Sequence, residues 1–175
     1  MKRILSLLAA LAGTLSLSAA DAIQVKVGQA APEFEGRDHN GKSWKLSDFA
    51  GKKAVLLYFY PKDNTPGCTA QACGLRDRMG DLKKENVAVI GVSFDSSESH
   101  KKFAAEHNLN FPLLVDSDGK IADLYGARKA PGAKMARRVS VLIDEQGKIA
   151  HITDTPSAQT HLSEMKEATG KLAKK

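Results

Sequence analysis

Residues 58–73 read Tyr58-Phe59-Tyr60-Pro61-Lys62-Asp63-Asn64-Thr65-Pro66-Gly67-Cys68-Thr69-Ala70-Gln71-Ala72-Cys73, and the punctuation of this stretch organises the chain around it. The run that enters it, Ala54 to Tyr60, is apolar, β-branched and aromatic, which predicts a buried strand. Pro61 ends the strand because it has no N–H to give a ladder, and Lys62-Asp63-Asn64 forms a polar turn. Thr65-Pro66 then reads as a helix start, with Thr65 at the N-cap and Pro66 at the first helical position. Cys68 therefore falls in the first helical turn.

Unpaired backbone N–H groups and the positive end of the macrodipole meet in that turn. They stabilise a thiolate, and the thiolate is the nucleophilic form of cysteine. Cys73 lies five residues on. On one helix the two cysteines are about 140° apart around the axis, with Cα atoms roughly 8–9 Å apart. A disulfide needs less than about 7 Å, so the pair bridges only if the first turns unwind. Two cysteines in an exported chain commonly form a permanent disulfide, and that reading stays open beside a redox cycle. The spacing is not the C-x-x-C of a thioredoxin-like dithiol. No further Cys or His lies near enough to complete a metal site.

Pro61-x-x-x-Thr65-x-x-Cys68 resembles the peroxiredoxin active-site pattern, and 58–77 is similar to the bacterioferritin-comigratory, or Q-type, subfamily. The likeness extends over roughly residues 26–152. It runs through Gly28-x-x-Ala31-Pro32-x-Phe34, Leu46-Ser47-Asp48-Phe49-x-Gly51-Lys52 and Val89-Ile90-Gly91-Val92-Ser93-x-Asp95-Ser96. It continues in Phe111-Pro112-Leu113-Leu114-x-Asp116 and Leu142-Ile143-Asp144-x-x-Gly147-Lys148-Ile149.

That resemblance implies a thiol peroxidase for hydrogen peroxide and organic hydroperoxides. Cys68 would be the peroxidatic cysteine and Cys73 the resolving one, joined in an intramolecular redox disulfide, with no cofactor. A thioredoxin-like dithiol would recycle it, and such proteins are often monomers. Thr65 would set its hydroxyl near the sulfur, and Pro61 would shape the loop and shield it. The family's Arg-x-(Thr/Ser) falls on Arg138-Val139-Ser140, making Arg138 the cation beside the thiolate. Arg137 points to the opposite face of that strand and reads as a solvated surface arginine. Gln71 stands where the family commonly has Glu, and Val141 where Phe is common. The alternatives are an exported thiol–disulfide oxidoreductase acting on proteins, and a binding domain whose cysteines form a weak staple.

The 175 residues are 42% hydrophobic and 26% charged, ordinary for one globular domain. Of the net charge of +6, Lys2 and Arg3 supply two. No Lys/Arg run with interleaved aromatics appears, which argues against nucleic-acid binding. Met1-Lys2-Arg3, the apolar segment Ile4 to Leu17 and Ser18-Ala19-Ala20 read as a cleaved secretory signal over 1–20. Its apolar part, about 14 residues, is too short to span a bilayer. No membrane association is expected after cleavage, which falls after Ala20 or Ala22. The expected destination is the periplasm, with 21–175 as a single domain.

In order, the chain predicts a hairpin over 34–46 turning at Asn40-Gly41 and a strand over 54–60. A helix over 66–84 follows, with Cys68, Ala72, Leu75, Met79 and Leu82 on one face. After a strand over 87–94, Asp95 and Glu98 form a capping box for a helix through His107. A strand over 111–115, a short helix over 120–125, a basic loop and a second hairpin over 137–153 come next. The last helix opens at Thr155-Pro156. This is an α/β, thioredoxin-like fold, a mixed sheet flanked by helices, with an N-terminal β-hairpin added. His39, His100, His107, His151 and His161 show no metal-ligand spacing, and His100 and His107 read as a solvated helix face.

Overall fold

The structure, a computed structural model, describes residues 23–174; the expected signal, 1–20, lies outside them. The central sheet has the order β5-β4-β3-β6-β7. Here β3 is Ala54–Phe59, β4 Val87–Ser93, β5 Leu113–Val115, β6 Val139–Ile143 and β7 Ile149–Asp154. β3 pairs in parallel with β4, and β4 with β5, while β6 is antiparallel to both β3 and β7. All six residues of β3 are buried, because helices or loops cover both faces of the sheet; a continuous apolar run is what such a strand requires. Val55, Leu57 and Phe59 face one core with Phe34, Ile121 and Tyr125. Leu56, Tyr58 and Tyr60 face the other, which contains Cys68, Ala72, Leu75, Phe103 and Met165.

The N-terminal hairpin, β1 (Glu35–Arg37) and β2 (Ser43–Lys45), forms its own two-stranded sheet. Gly41 sits at φ 83°, where the turn needs glycine. Asp38 fixes the turn by accepting the Asn40 and Lys42 N–H groups and the Trp44 indole.

Besides shifts of one or two residues at the ends of strands and of the short helix, three helix features differ from the sequence reading. The helix expected over 66–84 breaks at Arg78 into α1 (Pro66–Asp77) and α2 (Met79–Lys84). Arg78 donates its N–H three residues back, to Leu75, and Gly80 just beyond it weakens helical continuation. The apolar stripe runs through the joint unchanged, with Met79 and Leu82 buried. The cap of α3 (Ser97–Glu106) is Ser96, which accepts from Ser99 N–H, and not Asp95. Asp95 is occupied elsewhere, accepting from the Ser93 hydroxyl at 2.7 Å and the Asp63 N–H at 3.0 Å. Likewise α5 (Ala158–Leu172) starts from Ser157, which accepts from Thr160 N–H. Thr155-Pro156 precede it, and their carbonyls serve the site. A short helix, α4 (Lys120–Leu124), caps the far side of the sheet.

Candidate active site

Cys68 is the third residue of α1, and only 1% of its surface is exposed. Pro66 has no N–H and Thr69 N–H already bonds to the Thr65 carbonyl, so Gly67 and Cys68 carry the open donors of the first turn. Thr65 holds the N-cap position with extended backbone, but its hydroxyl makes no capping bond. It donates to the Lys62 carbonyl at 3.0 Å instead, closing the turn that feeds the helix.

Arg138 comes from the opposite side of the core, one residue before β6. Alternation along the strand puts it on the same face as Ser140 and Leu142, toward α1 and α5. It is 8% exposed and each of its three guanidinium nitrogens has an acceptor. Nη2 donates to Cys68 Sγ at 3.5 Å, Nη1 to Gln71 Oε1 at 2.5 Å, and Nε to the Pro156 carbonyl at 3.1 Å. A Cβ on Gly67 would lie 3.0 Å from Nη2, so this glycine lets the cation close on the sulfur. Arg137, expected in solvent, is half-buried; it pairs with Asp154 at 3.0 Å and donates to the Gly126 carbonyl.

Cys73 is half-buried and, like Cys68, a free thiol. The helix is continuous through both, which keeps the two sulfurs on different sides of it. Next to Cys73, Gly74 is where α1 crosses α5: a Cβ there would sit 2.5 Å from Leu162 Cδ1. Pro61, half-buried, lines a cleft of about 470 Å3 with Ala136, Pro156, Lys129, Arg137 and Arg138. Asp154 and Thr155 complete the lining, so the wall carries three cations against one carboxylate, and Arg138, which touches the sulfur, is part of it.

The 61–64 loop is braced from below by groups that sequence reasoning missed. Asp63, 5% exposed, accepts from Tyr60 Oη at 2.8 Å and Ser99 Oγ at 2.7 Å, and contacts His100 Nδ1 at 2.8 Å. The other ring nitrogen of His100 meets the Leu114 carbonyl at 3.2 Å. The ring thus spans two acceptors, the Asp63 carboxylate and the Leu114 carbonyl, and ties the loop to β5 through a buried bridge. Burial works to raise the Asp63 pKa, but the bonds from His100, Ser99 and Tyr60 outweigh it and hold the carboxyl below its usual range. His100 thus lies in the core rather than on a solvated helix face. Only its contact 37 residues away reveals this, and no local pattern carries that signal.

The matching family model is AhpC/TSA, over residues 27–152. Peroxiredoxin Bcp of Escherichia coli K12 is 44% identical over 142 residues, spanning 78% of this chain and 90% of that protein. The chain belongs to the AhpC/TSA family. Peroxiredoxin Bcp of Bacillus subtilis is 40% identical over 145 residues, covering 80% and 92% of the two chains. Among solved structures, peroxidoxin BcpB of Mycobacterium tuberculosis superposes with a TM-score of 0.76 at 29% identity, over 84% of this chain and 96% of that one. The thioredoxin-like peroxiredoxin fold and membership of the Bcp/Q-type group follow from these likenesses.

Proposed function

We propose that this AhpC/TSA member reduces hydrogen peroxide and organic hydroperoxides with Cys68 as the attacking thiolate. The observation that carries the assignment is the 3.5 Å contact between Arg138 Nη2 and a Cys68 sulfur held in the first turn of α1. The sulfur takes one peroxide oxygen: an S–O bond forms, the O–O bond breaks, and the other oxygen leaves with a proton as water or alcohol. Arg138 and the open N–H groups stabilise the negative charge that shifts toward the leaving oxygen. The Thr65 hydroxyl, anchored on Lys62, keeps the loop closed over the site, and Pro61 walls the cleft against water.

The product is a Cys68 sulfenic acid. Cys73 condenses with it, expelling water and forming the Cys68–Cys73 disulfide, once the first turns of α1 have unwound. A thioredoxin-type dithiol then reduces the disulfide by exchange. No cofactor is needed for any step. Burial supports a peroxidase over an oxidoreductase for protein disulfides, because a sulfur 1% exposed admits a small peroxide and not another protein's disulfide.

We further infer that residues 1–20 direct export to the periplasm and that the mature chain, from 21 onward, works there as a monomer. Its reductant is then an exported dithiol protein. The test is peroxide consumption with a thioredoxin-type dithiol, in parent and Cys68→Ser. Turnover in the parent and none in the variant supports the assignment; a fully active Cys68→Ser overturns it.

A further inference from the structure

Arg138 stands at one end of a buried hydrogen-bond chain that the reaction above does not use. Its Nη1 donates to Gln71 Oε1, and Gln71 Nε2 donates to Ser140 Oγ at 3.4 Å. Ser140 Oγ is 2.8 Å from His161 Nδ1, and His161 Nε2 is 2.9 Å from the Thr155 carbonyl. Gln71, Ser140 and His161 are each 1% exposed. The polarity of this chain can be deduced from both ends.

An arginine has no acceptor, so the Gln71 oxygen must face it and the amide nitrogen must face Ser140. A carbonyl has no donor, so His161 Nε2 must carry the hydrogen that Thr155 accepts. Neutral His161 then offers a bare Nδ1, to which Ser140 donates while accepting from Gln71. Every link points the same way, from Arg138 to the Thr155 carbonyl, and every donor has one acceptor. Burial, with the Arg138 charge adding to it, lowers the His161 pKa; the Thr155 carbonyl bond and the Glu164 and Asp154 carboxylates act the other way with less effect. The ring is neutral at pH 7.

We propose that His161, on α5, is a positioning residue for the peroxidase reaction, fixing the direction of the chain that holds Arg138 against Cys68. This rests on Cys68 being the attacking thiolate. It also gives Gln71 a reason: a Glu at this position could not donate to Ser140. With Nη1 held by Gln71 and Nε by the Pro156 carbonyl, only Nη2 is left to face the sulfur. Thr155, Pro156 and His161 all lie beyond residue 152, where the family match ends. The segment between β7 and α5 therefore supplies support that the matched region does not contain.

The test begins with 15N NMR of the imidazoles in the reduced parent at pH 7. The expected spectrum for His161 is the neutral ring protonated on Nε2. A ring protonated on Nδ1, or on both nitrogens, would overturn the proposal, whatever the enzyme does. The second readout is the second-order rate of Cys68 oxidation by H2O2. His161→Phe, which removes both bonds, is expected to slow it about tenfold, the loss of one hydrogen bond to a charged group's support. His161→Asn, whose side-chain oxygen can still accept from Ser140, should stay within about threefold of the parent by the same reasoning. Equal rates in the parent and His161→Phe would refute the role even if the variant were less stable. The third readout does not depend on how the Phe variant folds. In Gln71→Glu, Ser140 must donate to the carboxylate, so His161 should take up a second proton, visible in its 15N signals. An unchanged His161 spectrum there would count against the chain. A parent that leaves peroxide untouched would sink the peroxidase reading and not the tautomer.

Discussion

Replacing Asp63 by Asn keeps the volume and removes one charge, which isolates the buried bridge under the active-site loop. In the parent, the carboxylate takes hydrogens from Tyr60, Ser99 and His100. An Asn oxygen can serve Tyr60, but its NH2 then faces the Ser99 hydroxyl and His100 Nδ1, both donors. Removing one partner of a buried ion pair costs about 3–5 kcal/mol. The Ser99 hydroxyl can rotate away to another partner, so the lower end, about 3 kcal/mol, is expected. For a domain of this size that lowers Tm by about 6–12 °C. The assay is urea unfolding at pH 7, with an unchanged m-value showing that the denatured state is the same.

The pH dependence has a definite sign. Asp63's folded pKa lies below its unfolded one, so its stabilisation is complete above about pH 4 and is lost as pH falls through the folded value. The part of the gap between parent and variant that comes from the Asp63 charge should therefore be present above about pH 4 and shrink below it. A gap under about 1 kcal/mol at pH 7, or one that does not shrink as pH is taken well below about 4, would refute the bridge.

Three further outcomes follow from the same geometry. Arg138→Met removes the cation over the sulfur and should slow Cys68 oxidation by about 100-fold or more, as loss of a preorganised transition-state donor does; stopped-flow oxidation of reduced protein reads it. Gly67→Ala puts a Cβ 3.0 Å from Arg138 Nη2, so the same assay should show a severalfold loss with little change in Tm. Gly74→Ala drives a Cβ into Leu162; overpacking of about 1–3 kcal/mol outweighs the gain in helix propensity, and Leu162→Ala in the same chain should restore Tm.

Local signals were the ones the sequence made legible. The apolar run of β3, the proline that ends it, Thr65-Pro66 and the helical stripe from Cys68 to Leu82 all act within a few residues, and the structure has each. Arg138 was reachable through its resemblance to the family's Arg-x-(Thr/Ser) pattern, and strand alternation sent Arg137 to the other face. The caps Ser96 and Ser157 were misplaced by one and two residues because Asp95 and Thr155-Pro156 carry equally good local signals. What decided between them was tertiary: Asp95 is committed to Asp63 and Ser93, and the Thr155 and Pro156 carbonyls to His161 and Arg138. The buried His100 and His161 were illegible for the same reason. A histidine on a helix reads as solvated until its partners, 37 and 21 residues away in Asp63 and Ser140, are known.

The central claim, that Cys68 attacks the peroxide and Cys73 resolves the product, is tested most directly by counting thiols. Reduced protein is titrated before and after one equivalent of H2O2, beside Cys73→Ser treated with a sulfenic-acid trap. The account predicts that the parent loses both thiols to one intramolecular disulfide and that the variant yields a trapped sulfenate on Cys68. Thiols that survive the peroxide, or a trap that labels any other residue, would contradict it.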